Sequence, residues 1–241
     1  MIDAATVLLL RGAASCAEVL LVQRHPGLSF MGGLWAFPGG RVESEDRVDP
    51  LRAIPRSVDE AFRHAACREL LEECGIRLTP LRLQLWSRWI TPSAAERRFD
   101  TRFYVAQAAI ETPIVLDGKE LVEHEWLDPV TAVRRALDGS LPVSPPTLFV
   151  LEDLRLSLLA HGTLEAMLPA ERDRAVPAIM PRLRETTSGL EAVMPWERGY
   201  ELLPGEGDAI GADSAPHIAR LAALPARRIP SVIAGARGAA R

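Results

Sequence analysis

Apolar positions along the chain follow two rhythms. Residues 5–10 and 18–23 are short apolar runs separated by Gly12 and small side chains, which predicts a hairpin. A loop over 27–33 follows, then the apolar run 34–37 and a turn at Pro38-Gly39-Gly40. Residues 41–56 are polar, carry Pro50 and Pro55, and read as a loop. The rhythm then changes: Val58, Phe62, Ala66, Leu70 and Cys74 recur every four residues, the spacing of one buried helical stripe. Ser57 and Glu60 fit a capping box at its start, and Gly75 fits a left-handed C-cap at its end.

Further along, 81–90, 98–108 and 121–127 read as strands, and 129–137 and 146–160 as helices, with Pro146 in a first turn. Past about residue 165 the pattern weakens; 178–183 and 190–194 suit short strands, and 205–241 looks irregular. Strands and helices mix without strict alternation or repeats, so the expected class is α+β, in the form of an α/β/α sandwich with a mixed sheet.

Composition narrows the picture only slightly. The 241 residues are 48% hydrophobic and 25% charged, which suits a folded domain rather than a disordered chain. A net charge of −4 with dispersed Lys and Arg gives no footprint for nucleic acid. Cys16, Cys67 and Cys74 have no pairable spacing, and Cys67 and Cys74 read as small apolar helix residues. Residues 4–10 are too short for a signal core and no long apolar stretch follows, so the expectation is the cytoplasm, without a membrane partner. Oligomeric state has no signature here.

The chemistry concentrates in residues 68–76. Glu69, Glu72 and Glu73 stand at i, i+3 and i+4, so they share one helical face, expected opposite the Phe62/Ala66/Leu70 stripe. A solvated acidic face is the plain reading; the other is a hard-oxygen site for Mg²⁺ or Mn²⁺. Upstream, Gly39 and Gly40 lack side chains and let backbone carbonyls approach a cation.

Arg68-Glu69-Leu70-Leu71-Glu72-Glu73-Cys74-Gly75-Ile76 resembles the second half of the Nudix signature at each specified position, and Pro38-Gly39-Gly40 resembles its start. Gly40 and Arg68 stand 28 positions apart, so about 14 residues are inserted relative to the family spacing. The acidic position between them falls on Asp46 counting forward or on Glu60 counting back. The resemblance implies a Nudix domain over 1–142, its box at 39–76 with an inserted loop at 47–60, and a mainly helical extension over 143–241 packed on the same domain. It implies hydrolysis of a diphosphate linkage in a nucleotide-type small molecule. Glu69, Glu72 and Glu73 would hold Mg²⁺ or Mn²⁺ and activate water, Arg68 would orient a carboxylate, and a carbonyl of Gly39 or Gly40 would join the metal. Glu120 or Glu123, outside the box, would add a ligand or base.

The insertion, Trp89-Ile90-Thr91-Pro92, and the run from Arg97 to Phe103 resemble the branch containing the mammalian peroxisomal coenzyme A diphosphatase. That branch yields 3′,5′-ADP and phosphopantetheine. Arg24, Arg97, Arg98 and Arg102 would then meet phosphates, and Phe99 an adenine face. ADP-ribose or another nucleotide sugar is the alternative substrate. A non-catalytic, ligand-binding regulator on the same fold is the alternative class.

Overall fold

A computed structural model of the chain describes residues 1–12, 16–187, 189–211 and 214–223. The first part contains β1 (Ile2–Arg11), β2 (Glu18–Arg24), β3 (Trp35–Ala36), β4 (Gly39–Arg41), β5 (Val48–Asp49), β6 (Ile54–Pro55) and α1 (Val58–Cys74). There follow β7 (Gln84–Ile90), β8 (Phe99–Gln107), β9 (Leu121–Leu127), α2 (Pro129–Asp138) and α3 (Pro145–His161). The remainder holds α4 (Leu164–Ala170), β10 (Ala178–Ile179), β11 (Arg182–Thr186), β12 (Gly189–Val193) and α5 (Pro216–Ala222).

The main sheet is mixed, in the order β10-β7-β8-β1-β2-β3, with β4 also on β1 and β9 also on β2. β1 is its axis, parallel to β8 on one edge. Its other edge is shared. Ala4, Ala5 and Thr6 pair with Arg41, Gly40 and Gly39 of β4, and β2 meets β1 only at Leu10–Val19 and Arg11–Glu18. The expected β1–β2 hairpin is therefore short, because most of that edge belongs to β4. The two strands fork, and the turn carrying Gly39 and Gly40 sits in the fork.

Alternate side chains of β1 explain the three layers. Val7 and Leu9 join Phe62, Ala66, Leu70 and Cys74 of α1 in one core, while Leu8 and Leu10 join Val150, Leu151 and Leu154 of α3 in the other. Burying Phe62, only 1% exposed, stabilises by roughly 2–3 kcal/mol. Val58 departs from the expected stripe and is 59% exposed. The helix ends behave as read: Ser57 and Glu60 form the capping box, and Gly75 closes the helix at φ 70°.

The insertion is not the plain loop expected. Glu45–Arg47 forms a 3₁₀ turn, and Val48–Asp49 pairs with Ile54–Pro55 as a small hairpin. Arg56 fastens it by donating to the carbonyls of Glu45, Asp46 and Val48. The expected strand over 178–183 is two elements: Ala178–Ile179 extends the main sheet, whereas Arg182–Thr186 pairs with Gly189–Val193. Within the stretch read as irregular, Pro216–Ala222 is helical and buries His217, Ile218 and Leu221; residues 224–241 of that stretch lie outside the described residues. Buried ion pairs fix these later elements. Arg174 lies 4.1 Å over the Trp86 ring and 2.6 Å from Asp153, and Arg220 reaches Glu171 at 2.8 Å. Among the described residues no helix is long and apolar enough to cross a membrane.

Candidate active site

The site forms where the β1–β4 fork meets the last two turns of α1. Thr6 holds the turn by donating to the carbonyl of Pro38 at 2.7 Å, and Val7 N–H donates to the same oxygen at 2.9 Å. Gly39 adopts φ 152°, and a Cβ there would overlap β1 backbone; a Cβ on Gly40 would collide with the Glu69 carboxylate. At Gly39 only glycine fits against the β1 backbone, and at Gly40 a side chain would displace the Glu69 carboxylate.

Glu73 accepts the Gly39 N–H at 2.7 Å and is 5% exposed. The acidic face therefore does not lie opposite the apolar stripe as expected; Glu73 turns inward, because the Gly39 amide replaces solvent. Burial, reinforced by Glu69 and Glu120, pushes the Glu73 carboxyl up to about 8, against the pull of the Gly39 amide and Arg24. Burial also raises Glu69, with Glu72 and Glu120 adding to the shift and Arg68 opposing it.

Arg68 joins the acidic groups. Its Nη1 donates to Glu69 at 2.9 Å and Glu72 at 3.0 Å, and its Nη2 to Asp46 at 3.0 Å and the Arg41 carbonyl at 2.9 Å. Burial works against the guanidinium charge, but the contacts to Asp46 and Glu69 keep it firmly protonated. Between the two acidic candidates the geometry chooses Asp46: it is buried beneath Arg68, while Glu60 remains exposed and caps α1.

Glu120, immediately before β9, adds its charge to the setting of both Glu69 and Glu73. Its main chain is fixed by Asp117, which accepts its N–H at 3.0 Å, and by His25, whose N–H donates to its carbonyl at 2.7 Å. Nothing in the sequence marks Asp117 for this role beyond the turn signal of Asp117-Gly118. Glu123 instead pairs with Gln23 on an exposed part of β9 and is not among the groups acting on these carboxylates. Arg24 acts on Glu73 from β2, and its buried Nε has no protein partner among the described residues.

The three candidate arginines near β8 do not gather. Arg102 pairs with Asp59 at 3.2 Å and stacks 4.1 Å over Phe62, at the start of α1 and about 15 Å along that helix from Glu69. Arg98 is taken by Glu206 at 2.9 Å and by the Thr91 carbonyl. Each is thus paired with a carboxylate that the spacing along the chain did not reveal. Arg97 keeps its charge uncommitted and stacks on Phe30 and Phe99.

The NUDIX domain pattern matches residues 2–144, more than half of the chain. The chain belongs to the Nudix hydrolase family. A Nudix hydrolase from Alicyclobacillus acidocaldarius is 27% identical and superposes with a TM-score of 0.57, covering 69% of this chain and 95% of that one. The human acyl-coenzyme A diphosphatase NUDT19 is 31% identical over 76% of this chain and 72% of its own length. Putative nudix hydrolase 7 of Caenorhabditis elegans is 27% identical over 57% of this chain. The match spans only 55% of that worm protein, and 34% of the Xenopus laevis NUDT19.

Among the described residues no three acidic, His or Cys side chains form a ready-made cage for an ion. Glu69 and Glu72 are turned to Arg68, and Glu73 to the Gly39 amide. The donor set nonetheless suits a hard cation. It is all oxygen, two of its carboxyls are raised by burial and mutual crowding, and a glycine turn abuts it.

Proposed function

We propose that this Nudix hydrolase cleaves the diphosphate linkage of a nucleoside diphosphate derivative with Mg²⁺ or Mn²⁺, and that coenzyme A or an acyl-coenzyme A is its substrate. The observation that carries the reaction class is the crowding of Glu69, Glu73 and Glu120 around a glycine turn, with Arg24 alongside. The substrate rests on the acyl-coenzyme A diphosphatase activity of the human relative together with the insertion inside the box.

Glu69, Glu72 and Glu73 would hold the cation, with a main-chain carbonyl of Gly39 or Gly40. Bound Mg²⁺ or Mn²⁺ supplies charge neutralisation and Lewis acidity at the diphosphate. Arg24 donates its free guanidinium nitrogen to a diphosphate oxygen by a charge-assisted hydrogen bond. Glu120, anchored by Asp117 and His25, takes the proton from the attacking water. Arg68 positions Glu69 and Glu72 and is itself held by Asp46. Arg97 and Phe99 would contact the substrate's nucleoside end.

Coenzyme A, an acyl-coenzyme A, ADP-ribose, NADH and dinucleoside polyphosphates, each with Mg²⁺ and Mn²⁺, test this reading when products are identified by mass. Release of 3′,5′-ADP from coenzyme A is the expected outcome. Faster cleavage of ADP-ribose would transfer the assignment to that substrate. Absence of turnover with all of them, alongside ligand binding, would make the protein a binding regulator.

A further inference from the structure

Residues 25–33 leave Arg24 and return to it, closed by Gly33 N–H to the Arg24 carbonyl and by Arg24 N–H to the Leu34 carbonyl, both at 3.0 Å. The stem of this loop therefore lies beside Glu73. Near its tip Met31 holds φ 55°, an uncommon conformation for a residue with a side chain. Next to it the Phe30 ring reaches Phe99, with centroids 5.1 Å apart and a 31° tilt. The Arg97 guanidinium lies 5.2 Å from the Phe30 centroid and 5.5 Å from that of Phe99. Both rings are half-buried, and Arg97 is exposed with no carboxylate partner among the described residues.

Strand register relates the level of the patch to that of the glycine turn. Phe99 is the register partner of Ile2, and Gly39 that of Thr6. Four residue steps separate the two levels, about 13 Å along β1, a span that a base, a ribose and a diphosphate bridge together. We propose that residues 24–34 form a nucleoside-binding arm: Arg24 takes the diphosphate at the stem, and the base stacks on the Phe30–Arg97–Phe99 patch at the tip. The assignment rests on the diphosphatase reading above and deepens it by fixing which end of the substrate points which way.

An unpaired guanidinium flanked by aromatic rings suits a planar π system better than an alkyl chain. A base gains from both the rings and the cation, whereas a chain would cover part of the cation's water without compensating it. The patch offers faces rather than hydrogen-bonding edges, so it distinguishes base-bearing from base-free diphosphates and discriminates weakly between purines.

Calorimetric titration of the full chain with ADP, inorganic diphosphate and 4′-phosphopantetheine, in Mg²⁺, tests this without turnover. Phe30→Leu and Arg97→Gln should each weaken ADP about 10-fold and leave inorganic diphosphate within about twofold, while Phe30→Trp retains ADP binding. Arg97 is exposed, so Arg97→Gln reports even if a Phe30 variant loses stability. Equal ADP affinity in wild type and Arg97→Gln, or a loss confined to 4′-phosphopantetheine, overturns the assignment. Turnover of coenzyme A with ADP binding indifferent to Arg97 would sink the arm alone. Arg97-dependent ADP binding without hydrolysis would sink the activity alone.

Discussion

Replacing Glu73 by Gln keeps the side chain's shape and its acceptance of the Gly39 N–H while removing the ionisable group. In the metal-free protein, burial raises this carboxyl from 4.5 to about 8. The folded chain then binds more protons than the unfolded chain between those two values. The residue's contribution is thus fully present below about pH 4.5 and lost as pH rises through 8. A gap of about 3.5 units, at about 1.36 kcal/mol each, corresponds to about 5 kcal/mol of destabilisation in mild alkali. Gln still buries an amide, so about half of this is recovered: about 2–3 kcal/mol, or roughly 5–10 °C in Tm for a chain of this size. Thermal melts in excess chelator at pH 8.5 and pH 5 measure it, and the gain should shrink below about 1 kcal/mol at the lower pH. With Mg²⁺ the order reverses, since the cation stabilises wild type far more than the variant, whose kcat should fall by on the order of 10²-fold or more. A Gln variant no more stable than wild type at pH 8.5 in chelator would refute the crowded, buried setting assigned to Glu73.

Arg68→Ala leaves the buried Asp46 without its cation and should cost about 2–3 kcal/mol in urea denaturation. Arg68→Lys should recover less than half, because a point charge cannot span Asp46, Glu69 and Glu72 together; full recovery by Lys would contradict the bridging geometry. His217 is lowered to about 3 by burial, with Arg174 and Arg220 adding to the effect, so it folds uncharged. The unfolded chain takes up its proton near pH 6.5, and stability is lost as pH falls from there towards 3, by about 2 kcal/mol at pH 5. His217→Leu should remove that component, and an unchanged difference in denaturation free energy between pH 7.5 and pH 5 would disprove it.

Sequence order exposed what local interactions decide. The capping box of Ser57 and Glu60 and the Gly75 cap lie within one helix and survive folding as read, whereas of the three aligned glutamates Glu73 turns inward to an amide from another strand. Choosing between Asp46 and Glu60 required knowing how the 3₁₀ turn Glu45–Arg47 packs against α1, which no local pattern records. Arg98 and Arg102 looked equivalent to Arg97 along the chain. Their partners, Glu206 at 108 positions' separation and Asp59 at 43, are visible only after folding. The later elements were hard to read because two-residue strands such as Ala178–Ile179 carry no periodicity; pairing with β7 creates them.

The fork in which β1 divides one edge between β4 and β2 has a consequence for descent. The turn facing the carboxylates is held by main-chain and Thr6 bonds to Pro38, and Glu73 is held by a main-chain amide. Apart from the Thr6 hydroxyl, nearly any residue in β1 supplies the same backbone bonds, so that half of the centre is largely insulated from drift in neighbouring side chains. Loops such as residues 25–33 and 91–98 are attached to this frame rather than part of it. A lineage can therefore exchange one substrate for another by rewriting those loops while the hydrolytic centre stays intact.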